Sequence, residues 1–323
     1  MMGKFILRRL LLLVIQMFIL GFVLFFLMIP RDGVYQWVEL DYYPYFEVIP
    51  TSVDFLNLLS HYWFWLRNGI FRGDFGWSWS FHMPVAEIIA RRLPNTLRLL
   101  TVTLLIIYGV GIPLGIIGGK NSNSLRDRMI MMFTQMSSSL PAFTMGYILI
   151  LTFALSFRWF PFMGSVSIQA VTHHDGTLLY HLSRIHHVIL PALSLALVQL
   201  IIPAKFLRGG IVDTMKLPFI TTARAKGVKR RNVFKKHVFA NAIPPIIATF
   251  PMQIVTLLSG MIIVEIVFAF PGVGGLLWTA FGSGDTNLLM VLALILAMTV
   301  LSLNVIADLL LLKLDPRVEF EKN

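Results

Sequence analysis

The sequence predicts an all-α membrane protein built as a six-span helical bundle, and three observations lead there. Hydrophobic residues fill 57% of 323 positions while Asp, Glu, Lys and Arg fill only 13%, against about 25% in an ordinary soluble domain. Mean hydropathy is +0.77, more apolar surface than a soluble fold of this length can hide. The apolar residues also gather into six stretches, each near the ~20 residues that cross a bilayer. Helices satisfy every backbone polar group in lipid, so the stretches are read as helices. The chain has no cysteine, which excludes disulfides, thiolate metal sites and cysteine nucleophiles.

Span 1 covers residues 10–29 and stops at Pro30. Lys4, Arg8 and Arg9 precede it as in a signal peptide. The apolar run is longer than a signal core and no small-x-small cleavage site follows, so it is expected to be retained. Span 2 covers residues 97–118, span 3 129–156, span 4 188–207, span 5 246–268 and span 6 288–312. The coarse domains are an N-terminal span (1–30), an outer loop or cap (31–95), and a five-span core (96–323).

Charge orients the bundle. With the N-terminus inside, the inner segments hold all ten lysines and 19 of the 27 basic residues, and the eight left outside are all arginine. That asymmetry puts both termini in the cytoplasm. It also accounts for the net charge of +11 without nucleic acid, which would need a basic face on a soluble module. The first outer segment carries Tyr42-Tyr43-Pro44-Tyr45-Phe46 and Trp63-Phe64-Trp65. Such aromatics favour the membrane interface, so a small cap on the bilayer is preferred to an aromatic ligand cage.

The inner loop at about 208–244 is the most informative stretch. Pro218 suits the first turn of a helix, and Gly227 its stop. Phe219 and Ala223 are four apart and so share one face. A second, basic helix with Phe234 and Val238 on one face should follow and end before Pro244-Pro245. A short helix, a glycine turn and a basic helix could lie on anionic lipid or dock a cytosolic partner. Small residues that let a partner's groove approach closely favour docking.

Thr222-Ala223-Arg224-Ala225-Lys226-Gly227, followed by Asn241-Ala242 and Pro244, resembles the coupling-loop signature of ABC-importer permeases, and within them the dipeptide/oligopeptide/nickel branch. The resemblance extends over nearly the whole chain. Phe5 to Leu10, Gly73-Asp74-Phe75-Gly76, Pro84-Val85, Arg92-Leu93-Pro94-Asn95-Thr96-Leu97, Glu265 with Pro271-Gly272-Val273-Gly274, and Asp315-Pro316-Arg317 are similar in order. Two places depart: Pro30-Arg31-Asp32-Gly33 stands where Pro-Gly-Asp-Pro is usual, and Pro218-Phe219 where an acidic-Tyr pair is usual. These bear on sub-branch and substrate rather than on coupling.

The resemblance implies a type I importer fold and a permease half of a bacterial plasma-membrane transporter for dipeptides or oligopeptides. It implies a sister permease forming a heterodimer, two ATP-binding subunits, an extracellular substrate-binding protein and surrounding membrane lipid. ATP and Mg²⁺ would sit on the ATPase subunits, with no cofactor on this chain. The chain lacks a Gly-x-x-x-x-Gly-Lys-Ser/Thr loop; Gly118-Gly119-Lys120-Asn121 is its nearest string. Phe219, Thr222, Ala223, Arg224, Ala225, Lys226 and Gly227 are the expected ATPase-coupling residues. Glu265 and Asp308 are ionisable groups near span ends, and Ser138 and Pro141 mark a kink-prone site in span 3. These four are candidates for the path or its gating. A nickel or metal-chelate cargo is the alternative within the branch, since His173, His174, His181, His186 and His187 crowd one outer loop, although their spacing fixes no metal geometry. A secondary transporter would need midplane coupling-ion residues and repeat symmetry, and neither is evident. Enzyme readings of Gly282-Ser283-Gly284-Asp285 and of Gly272 to Gly275 lack, respectively, a second mid-span aspartate and a βαβ setting, and the first string reads better as a turn.

Overall fold

The computed structural model describes residues 2–28, 55–174 and 176–314. The Tyr42–Phe46 cluster and Asp315-Pro316-Arg317 lie outside the described residues, as do the side chains of Asp308, His173 and His174. Five helices there are long and apolar enough to cross a membrane: 7–26 within α1 (Met2–Met28), α3 (Val85–Lys120), α7 (Leu178–Gln199), α12 (Pro244–Val267) and 286–306 within α14 (Thr286–Leu314). A sixth span is present if α4 (Leu125–Ser138) and the helix starting at Ala142 count together.

That sixth span departs from the uninterrupted helix expected over 129–156. The chain bends by 100° between α4 and α5 (Ala142–Leu149). Pro141 has no N–H to donate and keeps Leu140 from helical dihedrals; it serves instead as the N-cap of α5 with φ −59° and ψ 147°. From Ile150 to Ser156 the helix widens to π geometry, and Phe157 N–H bonds back to Thr152 O at 3.0 Å.

Two compact units divide the chain. The first takes Met1–Arg91 and Leu277–Leu301. In it α2 (Phe55–Arg72) packs on α1 through Tyr62, which is fully buried. Its ring meets Phe18, Phe22 and Phe25 at 5.3–5.6 Å, and its hydroxyl donates to Phe18 O at 3.0 Å. Trp65 is buried beside it while Trp63 is exposed. A short hairpin follows, β1 (Trp77–Ser78) against β2 (Met83–Pro84), with Trp77 opposite Pro84. Asp285 holds this hairpin: its Oδ2 accepts from Ser78 Oγ at 2.5 Å and Ser80 Oγ at 2.8 Å, and its Oδ1 caps α14 through Leu288 N–H at 3.1 Å. The Gly-x-Gly-Asp string is therefore a capped turn, with Gly284 at φ +71°.

The second unit takes Arg92–Leu276 and Ser302–Asn323. Its main core joins Leu99 and Ile107 of α3, Leu149 of α5, Leu195 of α7, and Leu257 and Val264 of α12. A second cluster joins Leu207 and Ile211 of α8 (Ile201–Met215) to the loop that follows. Expected span 4 divides here, with α7 ending at Gln199 and α8 starting at Ile201. Between α3 and α8 the approach is close along Gly111, Gly115 and Gly119, one residue per turn. A Cβ on these would stand 2.6 Å from Pro203 Cγ, 2.9 Å from Ala204 O and 2.8 Å from Ile211 Cβ. Small residues at four-residue spacing admit this contact.

Candidate coupling element and the Glu265 anchor

The inner loop folds as α9 (Pro218–Ala225), a glycine turn, α10 (Arg230–Val233), a π-helical turn over Phe234–Phe239, and α11 (Ala240–Ala242). Pro218 occupies the first turn of α9, where its missing N–H costs nothing. Gly227 ends the helix at φ +76°. Its N–H bonds to Arg224 O at 3.0 Å and the Val228 N–H to Ala223 O at 3.2 Å, which is the paired closure of a Schellman turn. Pro244 then opens α12.

Two faces of α9 separate. Ile220 is buried in the cluster of Leu207, Ile211, Val233 and Val238, and Ala223 packs half-buried against the same cluster. Burying Ile220 stabilises this arrangement by about 2 kcal/mol. Phe219 (43% exposed), Thr222, Ala225 and Lys226 face outward, as does Arg224 on the flank. The expected shared face of Phe219 and Ala223 is thus revised: Ala223 turns into the chain's own core. The helix is short, and burial of Ile220 sets its rotation. The Phe219 ring meets that of His237 edge-on at 6.3 Å.

Glu265 is only 1% exposed. Its Oε1 accepts from Thr96 Oγ1 at 2.8 Å and its Oε2 from Gly275 N–H at 2.9 Å. Thr96 Oγ1 in turn accepts from Val273 N–H at 2.7 Å, and Asn95 Nδ2 donates to Pro271 O at 2.8 Å. The carboxylate therefore caps the first turn of α13 (Val273–Ser283), where negative charge is favoured. A side chain at Gly272 would overlap the carboxylate, and one at Gly274 would stand 2.7 Å from Ile262 Cα. Arg92-to-Leu97 and Pro271-to-Gly274, far apart in sequence, meet around this one group. In this chain the Glu265 carboxylate is buried and hydrogen-bonded on both oxygens.

The other path candidates stand elsewhere. Ser138 bonds its own helix through Gln135 O at 2.9 Å, and Pro141 is exposed at the α4–α5 break. No hydrogen bond or ion pair joins either to Glu265 among the described residues. The histidines expected in one outer loop include three that stand on α7, where His186 Nε2 lies 2.8 Å from Trp159 O and His187 Nδ1 2.8 Å from Ser183 O. Among the described residues no three His, Asp or Glu side chains converge as a metal site would need.

One strong interaction escaped sequence reading. Asp127, 1% exposed at the start of α4, takes a two-pronged ion pair from Arg208 of α8, with Nε–Oδ1 at 2.5 Å and the second nitrogen to Oδ2 at 2.6 Å. Asn123 N–H adds a third bond to Oδ2 at 2.9 Å. The partners are 81 residues apart, so no local spacing reveals them.

Comparison with known proteins gives the family. Residues 111–320 match the family described as the binding-protein-dependent transport system inner membrane component. The chain belongs to that family. Among its relatives is the oligopeptide transport system permease protein AppB of Bacillus subtilis (strain 168), 35% identical over 257 residues and covering 79% of each chain. Another is the glutathione transport system permease protein GsiC of Escherichia coli (strain K12), 31% identical over 264 residues, or 82% of this chain and 80% of that one. The fold is similar to that of the MetNI methionine ABC transporter in an inward-facing conformation, with TM-score 0.55 and 15% identity over 71% of this chain and 96% of that one. This permease is accordingly a multi-pass transmembrane subunit of an ABC importer with a type I fold. Membership implies a sister permease, ATPase subunits and a substrate-binding protein as its partners.

Proposed function

We propose that this permease imports peptides, forming half of the translocation path with a sister subunit, and that α9 with Gly227 receives the stroke of a cytosolic ATPase. The observation carrying the coupling assignment is the outward face of Phe219, Thr222, Ala225 and Lys226, on a helix held firmly from behind by Ile220. Peptide cargo is supported by the oligopeptide and glutathione relatives, glutathione being itself a tripeptide. In this reading both termini are cytoplasmic, as the lysine distribution favours. Residues 31–95 form an outer cap, 96–323 the core, and 208–244 the coupling loop. ATP and Mg²⁺ belong to two partner ATPases, and an extracellular binding protein delivers the substrate.

The test is Phe219→Asp in the native transporter. Phe219 is exposed, so the subunit should fold with an unaltered melting temperature. ATPase subunits should no longer co-purify, and uptake of labelled peptide should fall at least tenfold. Retention of both ATPases and full uptake would remove the coupling assignment. Loss of the ATPases in the variant, with the unaltered transporter taking up a non-peptide cargo and no peptide, would remove the peptide reading alone.

A further inference from the structure

Beside the coupling helix lies a cavity of about 600 Å³. Its rim carries Lys120, Arg224, Arg230, Arg231 and Lys235, and no Asp or Glu is among the described residues that line it. All five cations are exposed, and none is paired with a carboxylate among the described residues. The rest of the lining is apolar, and Ile116 at the end of α3, Met215, Phe234 and Phe239 are its half-buried members. Lys120 Nζ stands 4.0 Å above the Phe234 ring centroid, so an aromatic already steadies one cation.

Five unneutralised cations close together repel one another, and a bound anion relieves that cost. Phosphate is the anion that arginine forks match best. The apolar lining selects further, because free phosphate gains nothing from Ile116 and Phe239, whereas a molecule joining a phosphate to hydrocarbon fits both halves. We propose that this cavity binds an anionic phospholipid, with its phosphate on Arg230, Arg231 and Lys235 and the start of its acyl chains over Ile116 and Phe239. The site adjoins α9 and shares Arg224 with its flank. Lipid seated there would brace the coupling element against α3 and α8. Basic pockets between spans on the cytosolic side are where anionic headgroups concentrate. The inference rests on the proposed orientation only for the choice of leaflet.

The experiment uses the intact transporter purified in detergent, stripped of lipid and titrated with dioleoyl phosphatidylglycerol, dioleoyl phosphatidylcholine or inorganic phosphate, with bound species counted by native mass spectrometry. Detergent has no sidedness, so a failure here leaves the membrane orientation and the peptide assignment standing. One phosphatidylglycerol should be held at least tenfold more tightly than phosphatidylcholine. The combined Arg230→Gln, Arg231→Gln and Lys235→Gln variant should lose about fivefold in affinity per cation. Arg230→Lys with Arg231→Lys, which keeps the charge and loses the forks, should bind more weakly than the unaltered protein and more tightly than the triple variant. Met215→Trp, which narrows the cavity and removes no charge, should also weaken it. Melting temperatures report whether each variant is folded. Equal binding of the two lipids, or unchanged binding in the triple variant or in Met215→Trp, would overturn the proposal. Displacement by millimolar phosphate would reassign the site to free phosphate. Binding only after the ATPases are removed would reassign the surface to an ATPase contact.

Discussion

Removing Arg208 should destabilise the permease more than removing any exposed arginine, and the structure sets the amount. Asp127 is 1% exposed and receives three hydrogen bonds, two of them from the guanidinium. In Arg208→Ala the carboxylate stays buried with only Asn123 N–H. Orphaning a buried charge in this way costs about 3–5 kcal/mol. The Arg208 side chain is 28% exposed, which lets water reach the vacated space and places the expected loss near the lower end, at about 3 kcal/mol. Asp127→Asn leaves the guanidinium able to turn to solvent and should cost less, about 1–2 kcal/mol. If the two groups act as a pair, Asp127→Asn combined with Arg208→Ala should cost about 2 kcal/mol less than the sum of the single losses. Reversible unfolding in mixed dodecyl sulfate and mild detergent, followed by helical circular dichroism, measures all four corners of the cycle. A loss under about 0.5 kcal/mol for Arg208→Ala, within the range of ordinary surface changes, would refute the reasoning. So would strict additivity.

Three further changes test the remaining parts. Gly227→Ala meets no steric neighbour but must hold φ +76°. It should cost about 1–2 kcal/mol and loosen ATPase binding in a pull-down, with Gly227→Asn milder on both counts. Gly115→Leu should cost about 1–3 kcal/mol by forcing α3 from α8, whereas Gly109→Ala, with nothing within 4 Å, should be neutral or stabilising in the same melt. Glu265→Gln should lower stability by about 1–3 kcal/mol, since one oxygen that accepts a hydrogen bond becomes a donor. Altered peptide affinity in uptake assays at unchanged stability would contradict its role as an anchor.

What sequence alone conveyed follows from the range of the forces involved. The spans were legible because lipid imposes one requirement on some twenty consecutive residues, and α12 and α14 begin within two residues of expectation. Where helix and hydropathy part company the reading fell short. α3 starts at Val85, twelve residues before the apolar run, because Glu87, Arg91 and Arg92 continue the same helix outside the lipid-like stretch. At 36 residues it is about 54 Å long and exceeds the hydrocarbon thickness of about 30 Å. α13 lies between expected spans 5 and 6, where the sequence predicts no helix, and Gly272 and Gly274 make room for the Glu265 carboxylate and for Ile262. Pro141 signals a kink in the sequence, and the chain makes a full break there. Asp127–Arg208 stayed hidden because an ion pair across 81 residues leaves no periodic trace.

The placement of Ala223 changes how coupling mutations should be interpreted. An aspartate at Ala223 would push a charge into the Ile220–Val233 cluster, so loss of transport there would mix misfolding with lost docking. Phe219 and Lys226 are exposed and lie outside that cluster, so changes there separate the two effects. The same cluster explains why a short helix can transmit force at all. Ile220 rests on Leu207 and Ile211 of α8, and α8 meets α3 along three glycines with no room for a methyl group. Tyr108 of α3 in turn donates to Gln253 of α12 at 2.5 Å. Packed interiors deform little, so a displacement of α9 meets the spans as one solid contact. Gly115→Leu disturbs that contact without touching α9. Intact ATPase binding with weakened uptake in that variant would locate the loss between the coupling helix and the path.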